Sequence, residues 1–112
     1  MARTAGNVSA AHVSKTLHDA GYPRAADRDG VGVSGFAVII EPYKDGLGIV
    51  TVRYQDYDYE HCQGNAAYEL VARICEEAFG NYTRALRAAG YTVENWKRYD
   101  GIRLGLFVTG RR

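Results

Sequence analysis

The sequence predicts an α+β domain of element order α-β-β-α-β-β, with a four-stranded antiparallel sheet packed against one long helix. Three observations carry this prediction. The ending L-x-x-A-G-Y occurs twice, at residues 17–22 and 86–91. Each occurrence marks a helix stop: Gly21 and Gly90 can turn left-handed after the last helical residue, and Tyr22 and Tyr91 fall where the next side chain folds back on Leu17 and Leu86. Two apolar alternations, Phe36/Val38/Ile40 and Val50/Val52/Tyr54, flank the turn Lys44-Asp45-Gly46. Asp100-Gly101 separates two further alternating runs, which is among the strongest short-range hairpin signals.

The first helix is expected from Ser9 to Ala20. Ser9 is a good N-cap, Val8 and Val13 sit at the spacing of a hydrophobic staple, and Ala10, Val13, Leu17 and Ala20 form one apolar stripe. Residues 23–34 are polar and glycine-containing and read as a loop. In the first hairpin a three-residue loop with Gly46 left-handed pairs Tyr43 with Leu47. It then sets Ile40 opposite Val50, Val38 opposite Val52 and Phe36 opposite Tyr54, all apolar on one face. A two-residue loop would slip the register by one and oppose Ile40 to Thr51. The long helix is expected from Asn65 to Ala89, with Tyr68, Val71, Cys75, Ala78, Phe79, Tyr82, Leu86 and Ala89 as its buried stripe. Gly80 inside it costs about 1 kcal/mol relative to Ala, so a bend or a close contact is expected there. In the last hairpin Ile102, Leu104, Leu106 and Val108 should face the core.

A chain of 112 residues is one domain by size, here 1–112 with a flexible lead-in over 1–7. At 46% hydrophobic and 24% charged its composition is that of an ordinary globular protein. The net charge of +1 singles out neither nucleic acid nor a basic surface as partner. Charge is nonetheless uneven. Residues 41–60 hold five acids and two bases, and residues 63–112 hold eight bases and five acids. Arginine outnumbers lysine eleven to three, a skew common in GC-rich genomes. No apolar run reaches membrane-spanning length and the first residues carry no apolar signal core, so a cytoplasmic location is expected. Two cysteines are too few for a disulfide framework, and Cys75 reads as a core residue.

Candidate sites come from parity. A two-residue Asp100-Gly101 loop sets Arg98 opposite Arg103, Trp96 opposite Gly105 and Glu94 opposite Phe107, all on the face away from Leu104 and Leu106. Directly opposed like charges destabilise a sheet, and Trp and Arg dominate interface hot spots. Trp96, Arg98, Arg103 and Phe107 are therefore the first candidate interface. The competing reading is internal: the first helix covers this face, or Trp96 shields the backbone at Gly105. The run Asp56, Tyr57, Asp58, Tyr59, Glu60 is a second candidate surface, with its acids on one side and its tyrosines on the other if extended. Its acids are spaced like the start of a calcium loop, but His61 stands where glycine is needed and Ala67 where glutamate is needed.

Catalytic and metal chemistry find little footing. His61 and Cys62 are adjacent and would point to opposite faces of a strand, which separates a nucleophile from its base. His12 and His18 are six apart and do not share a helix face. The histidines and cysteines show no zinc spacing, and no phosphate loop, dinucleotide fingerprint or nucleophile elbow is present. Val8 to Val13 resembles the start of a DNA-binding helix-turn-helix, but the Gly21 stop and Pro23 replace the recognition helix. No enzyme activity, cofactor or metal is expected.

S-x-x-L-x-x-A-G-Y at residues 14–22, G-F-x-V at 35–38, V-x-V-x-Y at 50–54 and Y-x-x-x-L-x-x-A-G-Y-x-V at 82–93 together resemble short uncharacterised proteins of actinobacteria and their bacteriophages. The resemblance covers most of the chain, rests on structural residues and brings no functional residue with it. It implies a phage or mobile-element context, in which small proteins bind host machinery. The expected function is a non-enzymatic protein-binding module with a host or phage protein as partner. Self-association as a homodimer, through the sheet face or an open strand edge, is a further expectation. The alternative is a nucleic-acid binder using the Arg-rich final hairpin and Arg111-Arg112.

Overall fold

Ser9 starts the first helix by accepting a hydrogen bond from the His12 backbone N–H at 3.3 Å, and α1 then runs Ala10–Asp19. The structure is a computed structural model that describes residues 3–28, 30–57, 65–97, 101 and 103–112. Val8 and Val13, the two ends of the staple, are both buried. At the other end Gly21 adopts φ 96° and the backbone closes both arms of a helix-stop motif. The Gly21 N–H donates to the His18 carbonyl at 3.0 Å and the Tyr22 N–H to the Leu17 carbonyl at 3.2 Å. α2 spans Asn65–Ala88 and also ends at a left-handed glycine, Gly90, φ 93°, whose N–H donates to the Arg87 carbonyl at 3.0 Å. The Gly90 carbonyl then accepts from the Arg112 N–H at 2.8 Å, tying this helix end to the last residue of the chain.

The loop expected over residues 23–34 contains a small hairpin, β1 (Ala26–Arg28) and β2 (Val31–Val33), turning at Gly30. Polarity and glycine content hid it, because neither strand buries an alternating face: Val31 and Val33 are both exposed. β3 (Gly35–Pro42) and β4 (Gly48–Gln55) pair in the register set by the three-residue loop, Phe36 with Tyr54, Val38 with Val52 and Ile40 with Val50. Gly46 is left-handed and the Tyr43 N–H donates to the Leu47 carbonyl at 2.9 Å. β5 (Tyr91–Lys97) and β6 (Arg103–Arg111) form the last hairpin, and the sheet order is β3-β4-β6-β5, antiparallel throughout.

Two helices, rather than the long one alone, cover one face of this sheet. Val13 and Leu17 of α1 and Phe79, Tyr82 and Leu86 of α2 close over Phe36, Val50, Val52, Val93, Leu106 and Val108. Full burial of each such side chain stabilises by about 1.5–3 kcal/mol. Tyr82 is the hub of the aromatic contacts, edge-on to Tyr22, Phe36 and Phe79 at 5.4, 6.0 and 6.4 Å between ring centres. Burial pushes its hydroxyl pKa up.

The buried stripe of α2 is shorter than its periodicity suggests. Phe79, Tyr82 and Leu86 are buried, and Cys75, Ala78 and Ala89 are partly so. Val71 is only half-buried and stands outside the core, and the Tyr68 side chain lies outside the described residues. Among the described residues a Cβ at Gly80 would meet only the Arg84 guanidinium, at 3.6 Å, so no close packing with them requires glycine there.

The lead-in expected to be flexible is docked over residues 3–7. The Gly48 N–H, which faces β6, donates to the Arg3 carbonyl at 2.8 Å, and Thr4 pairs in parallel with Gly48. A 3₁₀ turn, Ala5–Asn7, then passes so close to Thr109 and Gly110 that a side chain at Gly6 would strike backbone. Free strand N–H groups need acceptors, and the lead-in supplies one where β6 has drawn away from β4.

Candidate functional site

Alternation along the strands puts everything that is not core on the opposite face of the sheet, and neither helix covers that face. It carries Ile39 on β3, Thr51 and Arg53 on β4, Gly105 and Phe107 on β6, and Glu94 and Trp96 on β5. Trp96 stands opposite Gly105, and Glu94 opposite Phe107, as parity predicts. The Trp96 ring stacks on Phe107 at 5.4 Å between centres and 19° between planes. It also leans over Gly105, where a Cβ would lie 3.4 Å from the indole. Both aromatic residues are half-buried.

Arg53 completes the cluster. Its guanidinium lies 4.7 Å from the centre of the Trp96 ring, and its Nη2 donates to Glu41 Oε1 at 2.8 Å. Stacking of a cation on an indole contributes about 0.5–1 kcal/mol at a partly exposed site. The Arg53 Nε is buried and has no acceptor among the described residues. Beneath these groups Thr51 is fully buried, although no helix lies above it. The face therefore has a small apolar layer of its own, with Ile39, 39% exposed, at its β3 side.

Arg103 is absent from this cluster, which corrects the expected interface. The register shifts between Trp96 and Lys97, so that Lys97 pairs with Arg103 and Leu104 is the extra residue of a bulge. That single-residue slip reverses parity. Leu104, expected in the core, is 37% exposed, and Arg103 turns to the helix side. There its Nε lies 3.1 and 3.2 Å from the two carboxylate oxygens of Glu76, and its Nη2 lies 2.8 Å from Oε2. Its Nη1 donates to Asn95 Oδ1 at 3.2 Å, and the guanidinium lies 6.0 Å from the Phe79 ring. The like charges that do oppose one another are thus Lys97 and Arg103. Glu76 answers both, and Arg103 first of all holds its carboxyl pKa below the ordinary value, with Lys97 adding a smaller pull. Arg98, the other member of the expected pair, lies outside the described residues.

The second candidate surface is described only at its start; Asp58, Tyr59 and Glu60 lie outside the described residues. Asp56 and Tyr57 are half-buried. The Tyr57 N–H donates to Ser34 Oγ at 2.8 Å, and its ring lies where a side chain at Gly32 would have to go. Tyr57 therefore anchors the β1–β2 hairpin instead of standing free.

Among the described residues no three His, Cys, Asp or Glu side chains gather as a metal site, and no described helix is long and apolar enough to cross a membrane. Burial, reinforced by the charges of Asp56 and Glu76, pushes the Cys75 thiol pKa up, which leaves it a poor nucleophile.

Arg53, Thr51, Ile39 and Glu41 were not among the sequence candidates. Their signal was available: they occupy the positions between the apolar ones in the first hairpin, which share the face of Trp96 once the two hairpins are joined. No family model, curated protein or solved structure matches the chain.

Proposed function

We propose that this chain is a small non-enzymatic protein-binding module that works by contact through the helix-free face of its sheet. The observation that carries the reading is the half-buried Trp96–Phe107 stack, with Arg53 against it, on a face that neither helix covers. Aromatic and arginine side chains on a rigid sheet are the usual centre of a binding surface, because they offer large contact area and have little freedom left to lose. A host or phage protein, met in the cytoplasm of an actinobacterial cell, is the partner this reading implies.

Nucleic-acid binding has less behind it. Arg103 is engaged with Glu76, Arg53 with Glu41, and Glu94 adds a negative charge to the same face.

The test is affinity capture from actinobacterial lysate with the wild-type chain and with Trp96→Ala/Phe107→Ala, together with binding to DNA and RNA at low salt. The reading predicts one protein retained by wild type and lost by the variant, with no nucleic acid retained. Salt-sensitive nucleic-acid binding that weakens on removing Arg53 would favour the alternative.

A further inference from the structure

β3 is an edge strand, with β4 on one side only. At Phe36 its outer side is occupied: the Phe36 N–H donates to the Pro23 carbonyl at 3.0 Å, and the Phe36 carbonyl accepts from the Ala25 N–H at 2.8 Å. These bonds also establish that the polar groups of Phe36 point away from β4. Alternation aims those of Val38 and Ile40 the same way. Among the described residues nothing hydrogen-bonds to these outward groups, because the chain leaves β3 after Ala25 to form β1. The next outward position is Pro42, which has a carbonyl and no N–H. Ile40, although on the helix side of the sheet, is 54% exposed.

We propose that a second copy of this chain pairs with this edge, β3 against β3, antiparallel about a two-fold axis at Ile40. The free groups select the register, and in it the strand is complementary to itself. An axis at Val38 would require the groups of Phe36, which residues 23–25 already hold. An axis at Ile39 would drive the partner's Pro42 into the place beside Phe36 where Arg24 sits. An axis at Ile40 meets neither obstacle. The two Ile40 residues exchange both of their hydrogen bonds, and each Val38 N–H donates to the partner's Pro42 carbonyl. The proline thus falls where its missing donor costs one bond, not the pairing. Ile40 then covers the partner's Ile40 across the axis, removing the most exposed apolar side chain of the strand from water. The one charged side chain of the paired stretch, Glu41, lies opposite the partner's Ile39 and is already neutralised by Arg53, so no like charges are directly opposed.

Such an axis stands perpendicular to the sheet. Both helical layers lie on one side of an eight-stranded sheet, and both Trp96–Phe107 faces lie on the other, giving a bivalent surface. The pairing stands on the strand edge alone and holds whatever that face binds.

Sedimentation equilibrium over a wide concentration range tests it. The expected mass rises from 12.4 kDa toward twice that value, while Ile40→Lys stays at the lower mass with an unchanged circular-dichroism spectrum. Trp96→Ala should still dimerise. In the wild-type protein, amide exchange at Val38 and Ile40 should slow as concentration rises, a readout that depends on no variant. A wild-type chain that stays monomeric overturns the proposal. So does a dimer that survives Ile40→Lys, a dimer lost in Trp96→Ala, or exchange at these two amides that is indifferent to concentration.

Discussion

Arg103 places one guanidinium against the Glu76 carboxylate, the Asn95 amide and the edge of the core at Phe79. Its side chain is only 17% exposed, whereas Glu76 remains 53% exposed. Arg103→Ala should therefore destabilise by about 1–2 kcal/mol in urea unfolding, with solvent screening on the Glu76 side keeping the loss modest. The pH dependence has a definite sign. The Glu76 carboxyl is held below its ordinary value of 4.5, so the pair contributes fully above about that pH and is lost as pH falls through the lowered value. Wild type should lose more stability than Arg103→Ala between neutral and acid pH, and parallel pH profiles for the two would contradict the assignment. None of this was legible at Arg103 itself. A strand residue followed by Leu104-Gly105-Leu106 reads as outward-facing, and only the bulge reverses it.

That bulge is also the clearest lesson among the elements. Leu104 and Leu106 look equivalent in sequence, but Leu106 is fully buried and Leu104 is 37% exposed. Leu106→Ala should cost about 2–5 kcal/mol, whereas Leu104→Thr should stay within about 0.5 kcal/mol. Equal losses would return Leu104 to the core. The helices make two opposite predictions about glycine. Gly21→Ala, with φ 96° and open space around it, should destabilise by about 1–2 kcal/mol through backbone strain alone. Gly80→Ala should stabilise by about 1 kcal/mol, since helix propensity favours Ala and the new methyl meets only the Arg84 side chain. Thermal unfolding of both variants reads these signs. Helix ends and the first hairpin were legible because capping and turn chemistry are local. The β1–β2 hairpin was not, since two three-residue strands bury no periodic face. The docked lead-in was not either, since it is held by backbone groups of Gly48 and by close approach at Gly6, which side-chain patterns do not encode.

For the molecule as a whole, placing both helices on one side of the sheet is the decision with functional consequences. It leaves Trp96, Phe107 and Arg53 on the other side, the face that also carries the buried Thr51. Sequence parity found Trp96 and Phe107 and missed Arg53, because the order β3-β4-β6-β5, which brings Arg53 to Trp96, is a tertiary fact. The proposed pairing of β3 with a second copy would set two such faces side by side. The contact surface itself is tested most directly by the Trp96→Ala/Phe107→Ala variant, measured for urea stability and for partner capture on the same preparation. A binding face predicts a folded variant, less stable by no more than about 2 kcal/mol, that no longer retains the partner held by wild type. A loss of about 4 kcal/mol or more with capture unchanged would instead assign both rings to a structural layer of the sheet and contradict the proposed function.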